Sequence, residues 1–267
     1  MNIRESFFQK NKGCRFVGCL HLLPLPGSAG WAGNMPEIID ICLKEAGQYL
    51  DNGADALLIE NTHDTPYLRQ EAEPGTIAAM ASVATFLRKA YPEIPIGIQL
   101  LAAGDMAALD IAIVCDLDFI RAEGFAYAHI ADEGIIQGNA ARLLRRRAHL
   151  QANKVRIFTD IKKKHSAHAI TADVDLLEMA KGVLFCKADG LIVTGNTTGE
   201  PPDAASLEAV SGLDTLLAVG SGVTPENIRQ FAQYADYLIV GSACKSEGDW
   251  RNSVVSDRVK ALTDLLK

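Results

Sequence analysis

The sequence lacks the patterns that would mark a zinc-binding, disulfide-bonded or membrane-spanning protein. Its six cysteines are scattered, lie mostly inside apolar runs and form no CxxC pair, so neither a zinc knuckle nor a disulfide framework is indicated. No apolar run reaches membrane-spanning length, and the segment MNIRESFFQK has no signal-peptide core. We therefore expect buried free thiols and a cytoplasmic protein with no membrane insertion.

Positive charge is also scarce. The 267 residues include 26 Lys and Arg against 33 Asp and Glu, which gives a formal net charge of −7 at pH 7. Because nucleic acids and anionic membranes attract cationic surfaces, neither is expected as a partner. No linker rich in Pro, Gly or Ser divides the chain, so residues 1–267 are predicted to form a single domain.

Eight short apolar runs recur along the chain and are predicted to be strands. Most are continuous rather than alternating in polarity, which is typical of strands that are covered on both faces. The runs span residues 14–22, 54–61, 94–101, 117–124, 155–161, 188–195, 214–222 and 235–242.

Helical patterns lie between these runs. They are predicted over residues 35–53, 74–91, 140–153, 173–187, 203–211 and 224–234. Repeated alternation of strand and helix predicts a single parallel (β/α)8 barrel, or TIM barrel, with an outer ring of helices. An open doubly wound sheet is the alternative, but the GxGxxG turn expected after its first strand is missing.

Glycine turns end the last two runs, in LAVGSGVTPEN and YLIVGSACK. In barrels of this kind, the loops after strands seven and eight commonly hold a phosphate. Glycine lets backbone N–H groups approach an anion, and a helix starting at Thr224-Pro225 would add unpaired donors. Tight strand-to-helix packing without a ligand is the alternative. The predicted phosphate-binding residues are Gly195, Gly220, Ser221, Gly222, Gly241 and Ser242.

Polar residues follow the other strand ends, where the active sites of this fold lie. Glu60 is an acid at the end of an otherwise apolar run, which indicates a general base or a hydrogen-bonding anchor. Asp160, Lys162 and Lys164 point in one direction if the strand alternation continues. Because an acid would then lie near these lysines and keep them protonated, proton transfer is favoured over a Schiff base. The predicted catalytic residues are His21, Glu60, Asp160, Lys162, Lys164 and His165. The predicted substrate-binding residues are Asn61, Gln99, Arg121, Thr194 and Asn196.

Simpler interpretations stay open for several of these residues. His21 could be a core histidine bonded to a carbonyl, and the KKK run could be solvated, as is expected of Lys163. His63-Asp64 and the pair His165 and His168 could hold a divalent metal ion, but no dedicated ligand spacing supports one. No metal site and no other cofactor are therefore predicted.

The motifs together resemble the BtpA/SgcQ family. The resemblance is carried, in order and over nearly the whole chain, by CLHLLPLPGSAGW, NGADALLIENTHDTPY, DIKKKHS, DGLIVTGNTTGEPP, AVGSGVTPENI and YLIVGSACKSEGDW. It implies a barrel of the ribulose-phosphate-binding type. Photosynthetic members are associated with photosystem I biogenesis, and others look like enzymes of sugar metabolism. After the third predicted strand, the segment LLAAGDMAAL departs from the shorter, more polar segment of relatives. We expect this difference to alter the rim of the substrate-binding site.

Two functions from different classes are consistent with these features. The first is an enzyme that acts on a small phosphorylated metabolite, as a sugar-phosphate lyase or isomerase, with the phosphate held after strands seven and eight. The second is a non-catalytic assembly or biogenesis factor that retains the barrel and a vestigial or regulatory ligand site. Acid, base and amine groups at one barrel mouth favour the enzyme. We also expect a homo-oligomer.

Overall fold

Eight parallel strands close into one barrel in the computed structural model, which describes residues 3–10, 13–195 and 201–267. We number the barrel strands β1 to β8 in chain order. They span Arg15–His21, Ala56–Glu60, Ile96–Gln99, Phe119–Ala122, Arg156–Asp160, Gly190–Val193, Leu216–Val219 and Tyr237–Val240. Each predicted run contains one of these strands, so the predicted barrel is confirmed.

The barrel closes because β1 pairs in parallel with both β2 and β8. At the carboxyl ends, His21 lies in register with Glu60, and Glu60 with Gln99, so the last residues of three strands meet on one rim. Nearly every strand residue is buried. Side chains that point inward fill the barrel and those that point outward pack under helices, which explains why the runs are continuously apolar.

Helices surround the barrel. Their bounds are Ile3–Ser6, Met35–Leu50, Pro74–Ala90, Asp105–Val114, Ala140–His149, Leu176–Phe185, Ala204–Ser211, Ile228–Phe231 and Ser256–Thr263. Side-chain caps fix several starts; the Asp175 carboxylate, for example, accepts the Glu178 backbone N–H at 2.8 Å. Within the described ranges, no helix has both the length and the apolar character needed to cross a membrane.

The predicted helix over 224–234 is wrong at its start. The α-helix is only Ile228–Phe231, and the preceding residues form a turn that the Asn227 side chain holds. Asn227 Oδ1 accepts the Thr224 backbone N–H at 2.8 Å, and Asn227 Nδ2 donates to the Gly222 carbonyl at 2.8 Å. The loop after β7 is therefore shaped by a side-chain clamp instead of by a helix start.

A small antiparallel sheet that the sequence analysis did not predict follows β4. The strands Ala128–Ala131 and Gly134–Gln137 form a hairpin, and the short strand Ser166–Ala167, which follows β5, pairs with the first of them. The hairpin turn carries Asp132 and Glu133, which both line the cavity at the barrel mouth. This sheet thus connects the segments after β4 and β5 above the carboxyl ends of the strands.

Candidate active site

The carboxyl ends of the strands surround a cavity of about 620 Å³. The loops after β7 and β8 form one part of its wall, and residues from β1 to β5 and the loops that follow them form much of the rest. The predicted site residues that line it are His21, Glu60, Gln99, Arg121, Lys164, His165, Gly220, Ser221, Gly222, Gly241 and Ser242. The structure therefore brings most of the predicted site together at the barrel mouth.

Asn61 does not line this cavity. Its side-chain oxygen accepts the Leu101 backbone N–H at 2.7 Å, and its amide nitrogen donates to the Asp64 carboxylate at 3.0 Å. These bonds hold the loops after β2 and β3 against each other. The predicted role of Asn61 in substrate binding thus has no geometric support, because its hydrogen bonds serve the loops.

Two further predicted residues, Thr194 and Gly195, lie beside the cavity without lining it. The Thr194 hydroxyl donates to the backbone carbonyl of Lys162 at 3.1 Å, which ties the end of β6 to the segment after β5. The Gly195 N–H donates to Ser221 Oγ at 3.0 Å and so supports the loop after β7 from outside. Asn196 lies outside the described residues.

Arg121, at the end of β4, connects two of the predicted acids. Its Nε and Nη2 donate to the two oxygens of Asp160 at 3.1 Å each, and its Nη1 donates to Glu60 Oε1 at 3.2 Å. Burial alone would lower the pKa of the Arg121 guanidinium, but Asp160 and Glu60 outweigh it and raise that pKa. Asp160 does not line the cavity, so its geometry favours fixing Arg121 over acting as a general base. Glu60 does line it.

His21 lines the cavity in a fixed tautomer. Its Nδ1 lies 3.1 Å from the Trp250 carbonyl, and because a carbonyl only accepts, Nδ1 carries the proton and Nε2 bears a lone pair. Burial, with a contribution from Lys245, lowers the pKa of His21 to about 3, so the ring is neutral near pH 7. Nε2 in this tautomer accepts a proton but cannot donate a hydrogen bond to an oxyanion.

The three consecutive lysines after β5 occupy three different environments. Lys162 does not line the cavity. Lys163 is only 7% exposed, with its Nζ 4.0 Å from carboxylate oxygens of both Glu123 and Glu133, so the expectation that it is solvated is wrong. Lys164 lines the cavity, and burial, followed by the nearby Arg121 charge, lowers the pKa of its amine. Because β5 ends at Asp160, strand alternation does not extend to these lysines.

Glu123 is a functional candidate to which the sequence analysis assigned no role. It lines the cavity, and burial raises its pKa to about 7, with Lys163 opposing this shift and Asp160 adding to it. Its Oε2 accepts the Ala103 backbone N–H at 3.2 Å, which fixes the carboxyl group. Burial and then Glu123 raise the pKa of the adjacent Asp105 to about 7 as well. A carboxyl group that titrates near neutral pH can act as a general acid or base.

The glycines in the loops after β7 and β8 are required for different physical reasons. A Cβ at Gly220 would lie 2.5 Å from an Ile192 methyl group, and a Cβ at Gly241 would lie 2.7 Å from Nε2 of His21. Close packing therefore explains both, as the alternative interpretation expected. Gly222 has a φ of +69°, in the left-handed region that side chains rarely adopt. Its conformation shapes the loop that follows β7.

Both loops present backbone donors to the cavity. Among the residues that the structure describes, no acceptor pairs with the backbone N–H groups of Gly222, Val223, Ser242 and Ala243, and all four residues line the cavity. Arg258, from a helix that the sequence analysis did not predict, lines the same region, and its Nε donates to the Ala243 carbonyl at 2.9 Å. Unpaired N–H groups next to a guanidinium suit an anion such as phosphate.

Three side chains at the ends of β1 and β2 offer donor atoms of the types that zinc prefers. In the described ranges, one such group stands out: the donor atoms of Cys19, His21 and Glu60 lie within 4.8 Å of one another. Two features oppose a metal ion there. The Arg121 cation already binds Glu60, and burial, then Glu60, raises the pKa of the Cys19 thiol, which keeps it protonated.

The sequence is similar to known proteins over nearly its whole length. The family model described as the BtpA family matches residues 12–267. The chain belongs to the BtpA family. An uncharacterized mitochondrial protein of Caenorhabditis elegans is 44% identical over 250 residues, which cover 91% of this chain and 89% of that protein. The photosystem I biogenesis protein BtpA of Synechocystis sp. is 34% identical over 273 residues, covering 100% and 91% of the two chains.

Two solved structures superimpose on this BtpA-family chain over nearly its whole length. A 3-hexulose-6-phosphate synthase superimposes with a TM-score of 0.60 at 17% identity, covering 95% of this chain and 100% of that one. The thiamine phosphate pyrophosphorylase of Pyrococcus furiosus superimposes with a TM-score of 0.59 at 14% identity, covering 96% of each chain. These likenesses confirm the predicted fold type.

Proposed function

We propose that this BtpA-family protein is an enzyme that acts on a small phosphorylated metabolite of the sugar-phosphate class, as a lyase or an isomerase. The observation that carries the proposal is that one cavity joins two sets of groups. Unpaired backbone N–H groups and Arg258 lie at the loops after β7 and β8, and Glu60, Glu123 and Lys164 lie towards β2, β4 and β5. A binding site without chemistry needs only the first set.

The second set provides the groups that proton transfer beside a carbonyl requires. Glu123 titrates near neutral pH, so it can give or take a proton at a carbon or oxygen of the substrate. Arg121 places positive charge beside it, where an enediolate or similar anion would develop, and the Lys164 amine lines the same cavity. Lyases and isomerases of sugar phosphates both develop such charge, so the site suits either class.

The similar structures support the class of substrate, a phosphorylated compound, and not a particular substrate. The names of two similar structures, 3-hexulose-6-phosphate synthase and thiamine phosphate pyrophosphorylase, both contain phosphate compounds. This chain shares the fold of those two structures, and in this fold the loops after β7 and β8 commonly hold phosphate. The unpaired N–H groups at these loops are the property of this chain that supports the same use.

Gly222 variants test the phosphate position. Gly222→Asp places a carboxylate beside the proposed anion, which costs about 1–4 kcal/mol at a separation of about 4 Å, or roughly 5- to 900-fold in affinity. Gly222→Asn is the matched control, since Asn has the same shape and also tolerates the left-handed conformation. Calorimetry with inorganic phosphate and ribulose 5-phosphate should show weak binding for the Asp variant alone.

Two results would contradict this position. The first is equal affinity in the Asp and Asn variants, because the added charge would then be remote from the ligand. The second is a wild-type protein that binds neither inorganic phosphate nor ribulose 5-phosphate.

A non-catalytic biogenesis factor is the second candidate. It is favoured by the 34% identity to the photosystem I biogenesis protein of Synechocystis sp. over the full length of this chain. Such a factor would bind a ligand at β7 and β8 without converting it. Glu123→Gln would then leave its function unchanged, whereas this variant should reduce the turnover of an enzyme by about 10²- to 10⁴-fold.

A further inference from the structure

We infer that Lys164 is a covalent catalytic residue whose amine forms an iminium, or Schiff base, with a substrate carbonyl carbon. This inference rests on the proposed function and narrows its substrate class to phosphorylated aldehydes and ketones. The sequence favoured simple proton transfer for these lysines. The separate environments of Lys162, Lys163 and Lys164 reverse that preference.

Position selects Lys164 from the three lysines. Lys162 does not line the cavity, so its amine does not face the ligand space. Lys163 lines it, but its Nζ lies between Glu123 and Glu133, at 4.0 Å from a carboxylate oxygen of each, and is therefore engaged. Lys164 lines the cavity, and among the described residues its Nζ has no carboxylate oxygen within 4.0 Å. It is the amine available for attack.

The charges around Lys164 favour a neutral amine. Glu60 and Asp160 would hold a proton on it, but Arg121 already pairs with both of these carboxylates. Burial and the Arg121 charge lower the pKa of Lys164, with Glu60, Asp160 and Glu123 opposing them. An amine in a desolvated site next to another cation is a nucleophile at a lower pH than an exposed lysine.

Glu123 lines the same cavity and can supply the proton that the reaction needs. The Lys164 lone pair forms the C–N bond, and the carbonyl π electrons move to oxygen, which takes a proton from Glu123. The nitrogen then loses a proton to the Glu123 carboxylate. Glu123 returns this proton to the hydroxyl group, which leaves as water while the nitrogen lone pair forms the C=N bond. One water is released, and no oxidant or reductant is consumed.

The barrel order places Lys164 near the proposed phosphate. β5 is separated from β7 by β6 alone, so the segment after β5 and the loop after β7 lie on the same side of the mouth. Both segments line one cavity. A short carbon chain that starts at a phosphate on Gly222 and Val223 can therefore extend to Lys164 within this one cavity. This geometry fits small keto and aldehyde phosphates better than long-chain substrates.

Borohydride trapping tests the inference. The wild-type protein is incubated with dihydroxyacetone phosphate, glyceraldehyde 3-phosphate or ribulose 5-phosphate, reduced with borohydride, and analysed by intact and peptide mass spectrometry. We expect one of these probes to give an adduct on Lys164. Lys164→Arg should lose the adduct while it keeps the charge, and Lys162→Arg, the matched control outside the cavity, should keep it. Circular dichroism and phosphate binding verify that each variant is folded.

The outcomes separate this inference from the proposed function. If no probe gives an adduct although calorimetry shows phosphate binding, covalent chemistry at Lys164 is overturned and the phosphate-binding enzyme stands. Adducts that persist in Lys164→Arg, or that form mainly on Lys163, also overturn the inference. If phosphate binding itself is absent, the proposed function fails with it.

Discussion

A single guanidinium organises the polar floor of the cavity. Arg121 binds both oxygens of Asp160 and one oxygen of Glu60, so two of the acids that the sequence offered as candidate bases are engaged by one cation. Glu123 and Lys164, with pKa values shifted towards neutrality, are then the groups best suited to exchange protons or attack a carbon. At the scale of residues, the existing ion pairs thus indicate which side chains are available for the chemistry.

Replacing Asp160 by Asn should destabilise the protein. The Asn amide would set N–H groups against the Arg121 N–H groups, leaving a buried cation partly unpaired, which typically costs about 3–5 kcal/mol. Asp214→Asn, on an exposed carboxylate, is the matched control and should change the free energy of unfolding by less than about 0.5 kcal/mol. Urea denaturation measures both. Wild-type stability of Asp160→Asn together with lost turnover would instead restore Asp160 as a catalytic base.

The pH dependence of stability tests the Glu123 environment. Its pKa of about 7 in the folded protein lies above the ordinary glutamate value of 4.5, so the folded state binds the proton more tightly than the unfolded state. The stabilising contribution is therefore complete below about pH 4.5 and is lost as the pH rises through about 7. Wild-type stability relative to Glu123→Gln should fall over this interval by about 1–3 kcal/mol, measured by denaturation at each pH. A difference that does not change with pH would contradict the assignment.

At the scale of elements, the strands were predictable and some of the helices were not. The eight runs were recognisable because both faces of each strand are covered, which leaves a continuous apolar signal. The helix Asp105–Val114 was missed because DMAALDIAIV is apolar on nearly all sides and shows no amphipathic period. The hairpin after β4 did leave a signal in the sequence, because a glycine, Gly134, stands between two short strand-like segments. In the structure this glycine adopts a positive φ.

The loops were the least predictable elements, although they carry the site. The loop after β7 looked like a helix start, but Asn227 and Gly222 hold a turn there. Among the described residues, no acceptor pairs with the N–H groups of Gly222 and Val223 in this turn. The environments of Lys163 and Lys164 depend on where β5 ends and on acids from other segments. Contacts between residues far apart in sequence determine these features, and a single sequence does not reveal such contacts.

At the scale of the whole molecule, the barrel sets where chemistry is available. Parallel strands bring their carboxyl ends to one mouth, so residues that are distant in sequence share a cavity there. Membership of the BtpA family and the (β/α)8 barrel were both predicted from the sequence and are confirmed. The homo-oligomer and the cytoplasmic location stay predictions, which light scattering and cell fractionation would test.

The most direct test of the central claim is a crystal structure of this protein soaked with phosphate. We predict density for one anion at the barrel mouth, within about 2.7–3.2 Å of the backbone nitrogens of Gly222 or Val223 and of Ser242 or Ala243. Lys164 and Glu123 should face the same space. A cavity without an anion at these nitrogens, with phosphate bound elsewhere or not at all, would contradict the account.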